Sequence, residues 1–272
     1  MSDGVNLYDG HYGHLSDEAQ AEVRRETYGE DLGQASWLMA AEARRWFGLL
    51  GLGAGRKALE VACGSGGVTC EMARNTGATC VGVDINPHGI EAARARADRD
   101  GLAALVSFQA VDAGGRLPFA DASFDSVFCN DSINHLPDRA AIVADWRRLL
   151  RPGGRVLFTD PIVVTGQLTG EEMRARSSIG YFLFTPAGSN ERLLEAAGFT
   201  LLETQDVTEA VATIAQRWRH ARQSRQDRLV PLEGTEGFEG LQRFLGVAHA
   251  LAAERRLSRI MYLAQAPSAG VS

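Results

Sequence analysis

The stretch from Lys57 to Asp84, KALEVACGSGGVTCEMARNTGATCVGVD, limits what this chain can fold into more than any other. A short apolar run (Ala58, Leu59, Val61, Ala62) opens into Cys63-Gly64-Ser65-Gly66-Gly67. A helical pattern follows, and a second apolar run (Cys80, Val81, Val83) ends on Asp84. Strand, glycine loop, helix, strand and acid in that order make half of a nucleotide-binding α/β sheet. Glycines let the turn take positive φ and let a ligand approach the backbone. The next helix points unpaired N–H groups at that ligand. An acid about 20 residues past the glycines can accept from both hydroxyls of a ribose.

Strand and helix patterns keep alternating beyond Asp84. Asn86-Pro87 starts a helix through Arg99, with asparagine as cap and proline in the first turn. Val106, Phe108 and Ala110 form a third strand ending at Asp112. Ser123-Phe124-Asp125 enters a fourth, through Cys129. A loop from Asn130 to Pro137 leads to a helix capped by Asp138, which stops at Arg151-Pro152-Gly153-Gly154. A fifth strand is expected over 155–159, a sixth over 199–204 after a helix capped at Ser189-Asn190, and a last over 260–264. Such crossovers require a mainly parallel sheet with helices on both faces. Before the first strand, Ser16-Asp17-Glu18 opens a helix through Arg25. Met39, Ala43, Trp46, Phe47 and Leu50 mark one face of another. Residues 1–14 read as a flexible arm.

Two ligands suit the glycine loop, and spacing separates them. A dinucleotide site wants a third glycine where Thr69 stands. Read from Glu60, the run is Glu-x-Ala-Cys-Gly-Ser-Gly, which resembles motif I of the class I S-adenosylmethionine (SAM) methyltransferases, with Ala62 at the first glycine place. Further landmarks fall in the same order. Asp84 and Asp112 match the family's ribose-side and adenine-side acids. Leu117-Pro118-Phe119, Asp121, Ser123-Phe124-Asp125 and Val127 resemble its block before strand four, and Leu149 to Gly154 its turn before strand five.

The resemblance implies an α/β, doubly wound, Rossmann-like seven-stranded sheet in order 3-2-1-4-5-7-6, the last strand antiparallel. It implies SAM as cofactor and S-adenosylhomocysteine (SAH) as product. The cofactor residues it implies are Glu60, Ala62, Gly64, Gly66, Asp84, Ile85, Asp112, Ala113 and Asn130. Tyr28-Gly29-Glu30 and Gln34-Ala35-Ser36 are similar in place to the ligand-covering segment of phosphoethanolamine- and glycine-type N-methyltransferases, which adds Tyr28 and Gln34. Asn134-His135-Leu136-Pro137-Asp138-Arg139 resembles a block of natural-product sugar O-methyltransferases. There a histidine and an aspartate after strand five serve the acceptor hydroxyl, which points to His135 and Asp160 as catalytic. Asn134 replaces the family's first histidine.

The expected organisation is a 1–55 arm with cap helices, a SAM-binding core at 56–161 and 189–207, insertions at 162–188 and 208–257 forming an acceptor lid, and a final core strand at 258–266. The second insertion reads as two helices split between Pro231 and Gly237. Tyr181, Phe182 and Trp218 are the candidate lid aromatics. The expected function is methyl transfer to an oxygen or nitrogen of a small molecule in specialised metabolism. The alternative is a protein of this fold that binds SAM without methyl transfer, as a cyclase or binding module.

Composition fits that reading. The 272 residues carry a net charge of −6, with no basic block beyond Arg217 to Arg228, so nothing argues for a nucleic-acid surface. No run of 18 apolar residues argues for a membrane span. The start MSDGVNLYDGHYG has no signal-peptide core, so the cytoplasm is expected. Four cysteines without a C-x-x-C pair read as reduced, apolar fillers, and no metal site is expected. A homo-oligomer stays open.

Overall fold

The computed structural model describes residues 17–268. The arm at 1–14, and Ser16 as a helix opener, lie outside them. The first helix, α1 (Glu18–Tyr28), is capped by Asp17, whose carboxylate accepts from the Ala19 and Gln20 amides. Then follow α2 (Ala40–Leu49), β1 (Lys57–Val61), α3 (Gly67–Thr76), β2 (Thr79–Asp84), α4 (Pro87–Arg99), β3 (Val106–Ala110) and β4 (Phe124–Cys129). A 3₁₀ turn (Ile133–His135) leads to α5 (Arg139–Leu149), β5 (Leu150–Val164), α6 (Gly170–Arg176), β6 (Thr185–Pro186) and α7 (Ser189–Ala196). The chain closes with β7 (Thr200–Asp206), α8 (Thr208–Gln223), α9 (Gln226–Ala253) and β8 (Leu257–Gln265).

The sheet order is β3-β2-β1-β4-β5-β8-β7, with β8 antiparallel to both its neighbours. This is the expected order and the expected antiparallel strand. The two-residue β6, paired to β5, is the addition. Alternation along the strands sorts side chains into two cores. Ala58, Cys80, Phe128, Leu157 and Met261 face α2, α3 and α4. Leu59, Val81, Val127, Phe158 and Tyr262 face α5 and α7. Both faces are therefore covered, as parallel strands require. All four cysteines are free and buried.

Three expectations change. Strand five is far longer than 155–159: Leu150 already pairs with Phe124, and the strand runs on beside β8 to Val164. The Pro-Gly-Gly run reads as a stop, yet pairing resumes through a register shift. The helix after β6 is capped by Gly188 in the left-handed conformation rather than by Ser189-Asn190. The second insertion breaks first at Ser224–Arg225, between α8 and α9. The break expected between Pro231 and Gly237 is a kink inside α9, where Gly234 takes φ 75° and ψ 158°.

The insertion helices form a third layer with α1. Tyr28, Trp37, Ile214, Trp218, Leu241 and Phe244 share its core. Arg176 is buried here with its guanidinium 4.7 Å from the Phe244 ring centre and 5.1 Å from that of Phe182. Arginine suits such a place because its flat, weakly hydrated cation stacks on aromatic faces.

Candidate active site

A cavity of about 440 Å³ opens at the carboxyl ends of β1, β2 and β4. That is where open α/β sheets bind ligands. Gln34, Glu60, Ala62, Gly64, Asp84, Ile85, Asp112, Ala113, Asn130 and His135 all line it. Tyr28, Gly66 and Asp160 do not, and neither does any residue of the 162–188 or 208–257 insertions.

The glycine loop is held from below. Asp84 accepts from the Gly64 amide at 2.8 Å and the Asn86 amide at 2.9 Å. Burial raises its pKa, and these backbone bonds oppose the rise. Gly66 caps α3 at φ 70°, and a Cβ there would lie 2.6 Å from the Ala93 Cβ and 2.7 Å from Phe108. It is thus a packing glycine beneath the loop. Ala62 also sits at positive φ, 58°. The family's glycine at this place has a backbone reason, and alanine carries strain of about 1–2 kcal/mol. Ala62→Gly is therefore expected to leave the thermal midpoint unchanged or raise it by a few degrees, although glycine is the more flexible residue when unfolded.

The segment 32–36 roofs the cavity. Its closest approach is at Gly67, where a Cβ would sit 1.6 Å from the Leu32 carbonyl oxygen. Ser65 donates to the Gly33 carbonyl at 3.1 Å. Gln34 spends its amide on the turn itself, accepting from the Leu32 N–H and donating to the Glu30 carbonyl. Tyr28 supports the roof from behind: its hydroxyl donates to the Ser36 carbonyl and its ring packs on Trp218. Gly67→Ala should push the roof off the loop. Ligand protection of amide exchange over 32–36 is expected to be lost, with destabilisation of a few kcal/mol.

At the end of β4, Asp131 takes φ 51°. Its carboxylate accepts from the Trp37 amide at 2.9 Å and from Arg259 Nε at 2.7 Å. Arg259 is fully buried on β8, also donates to Glu42, and lies over the Trp46 ring. A further bond runs from Arg259 Nη2 to Asn130 Oδ1, at 2.9 Å. Because arginine only donates, the Asn130 oxygen is fixed toward it, and the amide nitrogen bonds Asp131 Oδ2. No sequence motif assigns a role to Asp131 or Arg259. A lone arginine within the apolar run Leu257–Ala264 was the available signal.

His135 and Asp160 are not hydrogen-bonded to each other. The His135 ring lies 2.7 Å through Nδ1 from the Tyr181 carbonyl, 3.2 Å through Nε2 from the Asn134 amide nitrogen, and edge-on to Phe182. A carbonyl can only accept, so Nδ1 carries the proton and Nε2 the lone pair. Burial lowers the ring's pKa, against the pull of the Tyr181 bond. Asp160 is wholly buried, accepting from Arg139 and Asn190. Arg139 also donates to the Leu183 carbonyl, so Asp160 anchors the 181–183 strip that orients His135.

These residues fit SAM. Three carboxylates on the cavity wall, Glu60, Asp84 and Asp112, have no ion-pair partner among the described residues, which suits a cationic ligand. Ile85 is 68% exposed beside Asp84, leaving an apolar surface for a flat base. Asp112 is exposed at the same rim, with Oδ1 on the Gly114 amide.

Comparisons with known proteins agree. The family described as a methyltransferase domain matches residues 59–158. The chain is 40% identical over 166 residues to methyltransferase GfsG of Streptomyces halstedii, covering 59% of this chain and 58% of that one. It is 30% identical over 172 residues to the ubiquinone biosynthesis O-methyltransferase of Thiobacillus denitrificans, covering 60% and 72%. Its fold matches the [4+2]-cyclase SpnF with a TM-score of 0.75 at 20% identity, over 97% and 96% of the two chains. Against GfsG the chain spans little more than half the relative's length. Taken with the strand order and the cavity at the ends of β1, β2 and β4, these matches show that the chain belongs to the class I SAM-dependent methyltransferase family.

Proposed function

We propose that this protein transfers a methyl group from SAM to an oxygen or nitrogen of a small-molecule acceptor at the His135 end of the cavity. The observation that carries the reading is that one cavity is lined by both Asp84 and His135. Asp84 keeps lone pairs beyond its two backbone bonds for a ribose diol. Ile85 and Asp112 would take the adenine, and the Cβ-free backbone at Gly64 the amino-acid end. SAM, when bound, supplies a methyl group already activated for displacement. The chain's task is then to hold the acceptor in line and exclude water, and the 32–36 roof serves both ends. His135, neutral with Nδ1–H on the Tyr181 carbonyl, is set to take the proton of a hydroxyl acceptor at Nε2 when that hydroxyl replaces the Asn134 amide there. Asp160 acts through Arg139 on the strip that carries the Tyr181 carbonyl.

Asp84→Asn is expected to weaken SAM binding by about 10- to 100-fold, because a charged hydrogen-bond acceptor is worth roughly 1.5–3 kcal/mol. Calorimetric titration checks this. An unchanged dissociation constant would move the ribose elsewhere. The insertions remain the proposed acceptor side, not as cavity lining but as the layer that holds the 181–183 strip. Tyr181, 57% exposed there, is the residue to replace. Tyr181→Ala should raise acceptor KM while SAM affinity stays put.

The fold shared with a cyclase favours testing a second reading, in which SAM is bound and not consumed. Incubation with SAM and a panel of hydroxyl- and amine-bearing acceptors separates the two. Methyl transfer predicts SAH in step with methylated product. Turnover of a polyene substrate with SAM intact would favour the cyclase class.

A further inference from the structure

Glu60 is the cavity-wall carboxylate with the least to hold its charge. Asp84 and Asp112 accept backbone amides, and Asp131 has Arg259. Glu60, 4% exposed on β1, accepts among the described residues only from the Thr69 hydroxyl of α3. The titratable groups around it are Asp84 and Cys80 on β2, Cys63 in the glycine loop, Cys70 on α3 and Cys129 on β4. None is a cation. A carboxylate taken out of water into such company favours its neutral form. Burial pushes its pKa up to about 8, with Thr69 opposing and Asp84 adding to the rise.

The two ligands that alternate in a methyltransferase cavity differ by one charge. SAM carries a sulfonium, while SAH is a neutral thioether with the same adenosine and amino-acid parts. We infer that Glu60 matches this charge: it releases its proton when the sulfonium form occupies the cavity and takes one back once the thioether product remains. The proton goes to solvent on SAM binding and returns from it after transfer, so no other reactant is needed. The wall thereby favours the charged substrate over the neutral product. Because a proton leaves on SAM binding, raising the pH toward 8 favours SAM, and above that the gain levels off. This inference rests on the reading of the cavity as a SAM site.

Calorimetry at pH 7 in two buffers of different ionisation heat counts the protons exchanged on binding SAM and SAH. The wild-type protein is expected to release up to about one proton more with SAM than Glu60→Gln does, and to show no such difference with SAH. The ligands' own amino groups titrate alike in both proteins and cancel. From pH 6 to 8, the SAM-over-SAH preference of the wild type should rise relative to Glu60→Gln by up to about tenfold per pH unit. Glutamine still accepts from Thr69. Thr69→Val, which keeps Glu60 but removes the hydroxyl favouring its anion, should move the change to higher pH and serves as the test if Glu60→Gln does not fold. Equal proton release in wild type and Glu60→Gln, or an unmoved profile in Thr69→Val, overturns the inference and leaves the SAM site standing. Failure of the wild type to bind either ligand overturns both.

Discussion

His135→Ala is expected to lower kcat for a hydroxyl acceptor by about 10²–10⁴-fold, the range for losing a positioned general base. SAM affinity should be nearly kept, because His135 bonds the Tyr181 carbonyl and the Asn134 amide and none of the proposed cofactor residues. The rate should also report the ring's titration. A base works in its neutral form, and burial lowers the His135 pKa. The rate should therefore climb with pH below the ordinary histidine value of about 6.5 and be flat through neutrality. Steady-state kinetics with parallel calorimetry checks both parts. A variant with near-normal kcat would leave His135 as a turn residue and favour an amine acceptor that arrives deprotonated.

The second large effect concerns stability. Arg259→Met removes the cation between Asp131 and Glu42, both of which it bonds. Breaking a buried pair from one side costs about 3–5 kcal/mol because the remaining charge is left uncompensated. A fall in thermal midpoint on the order of 10 °C is expected. Adding Asp131→Asn and Glu42→Gln to Arg259→Met should recover part of the loss, and a mutant cycle measures how much. If Arg259→Met melts like the wild type, the triad holds nothing together. The Trp37 amide bonds the same Asp131, so the single variant should also loosen the roof segment.

What the sequence disclosed divides by range. Period-two strands, helix caps and the glycine loop are local, and each strand of the core was legible from them. The acids at the strand ends were legible as positions, because their place in the crossover unit is fixed. Side-chain partners were not. Asp160 reads as the residue just after strand five, yet it lies within β5, paired with Ile260, and its carboxylate serves Arg139 and Asn190. Tyr28 lies in the expected segment, but its hydroxyl is turned to Ser36, behind the roof. The Asp131–Arg259 bond spans 128 residues, and no local pattern announces such a pairing. Strand five was misjudged because Pro-Gly-Gly is a strong turn signal locally, and pairing with Phe124 overrode it. Phe182 and Trp218 were candidate lid aromatics and instead pack in or against the core of the helical layer. A hydrophobic side chain does not declare which apolar surface it will meet.

The most direct test of this account is a crystal structure of the protein with SAH. It predicts the ribose hydroxyls within hydrogen-bond reach of Asp84, the adenine against Ile85 near Asp112, and the thioether sulfur on the His135 side of the glycine loop. SAH bound outside this cavity, or with its ribose turned away from Asp84, would contradict it.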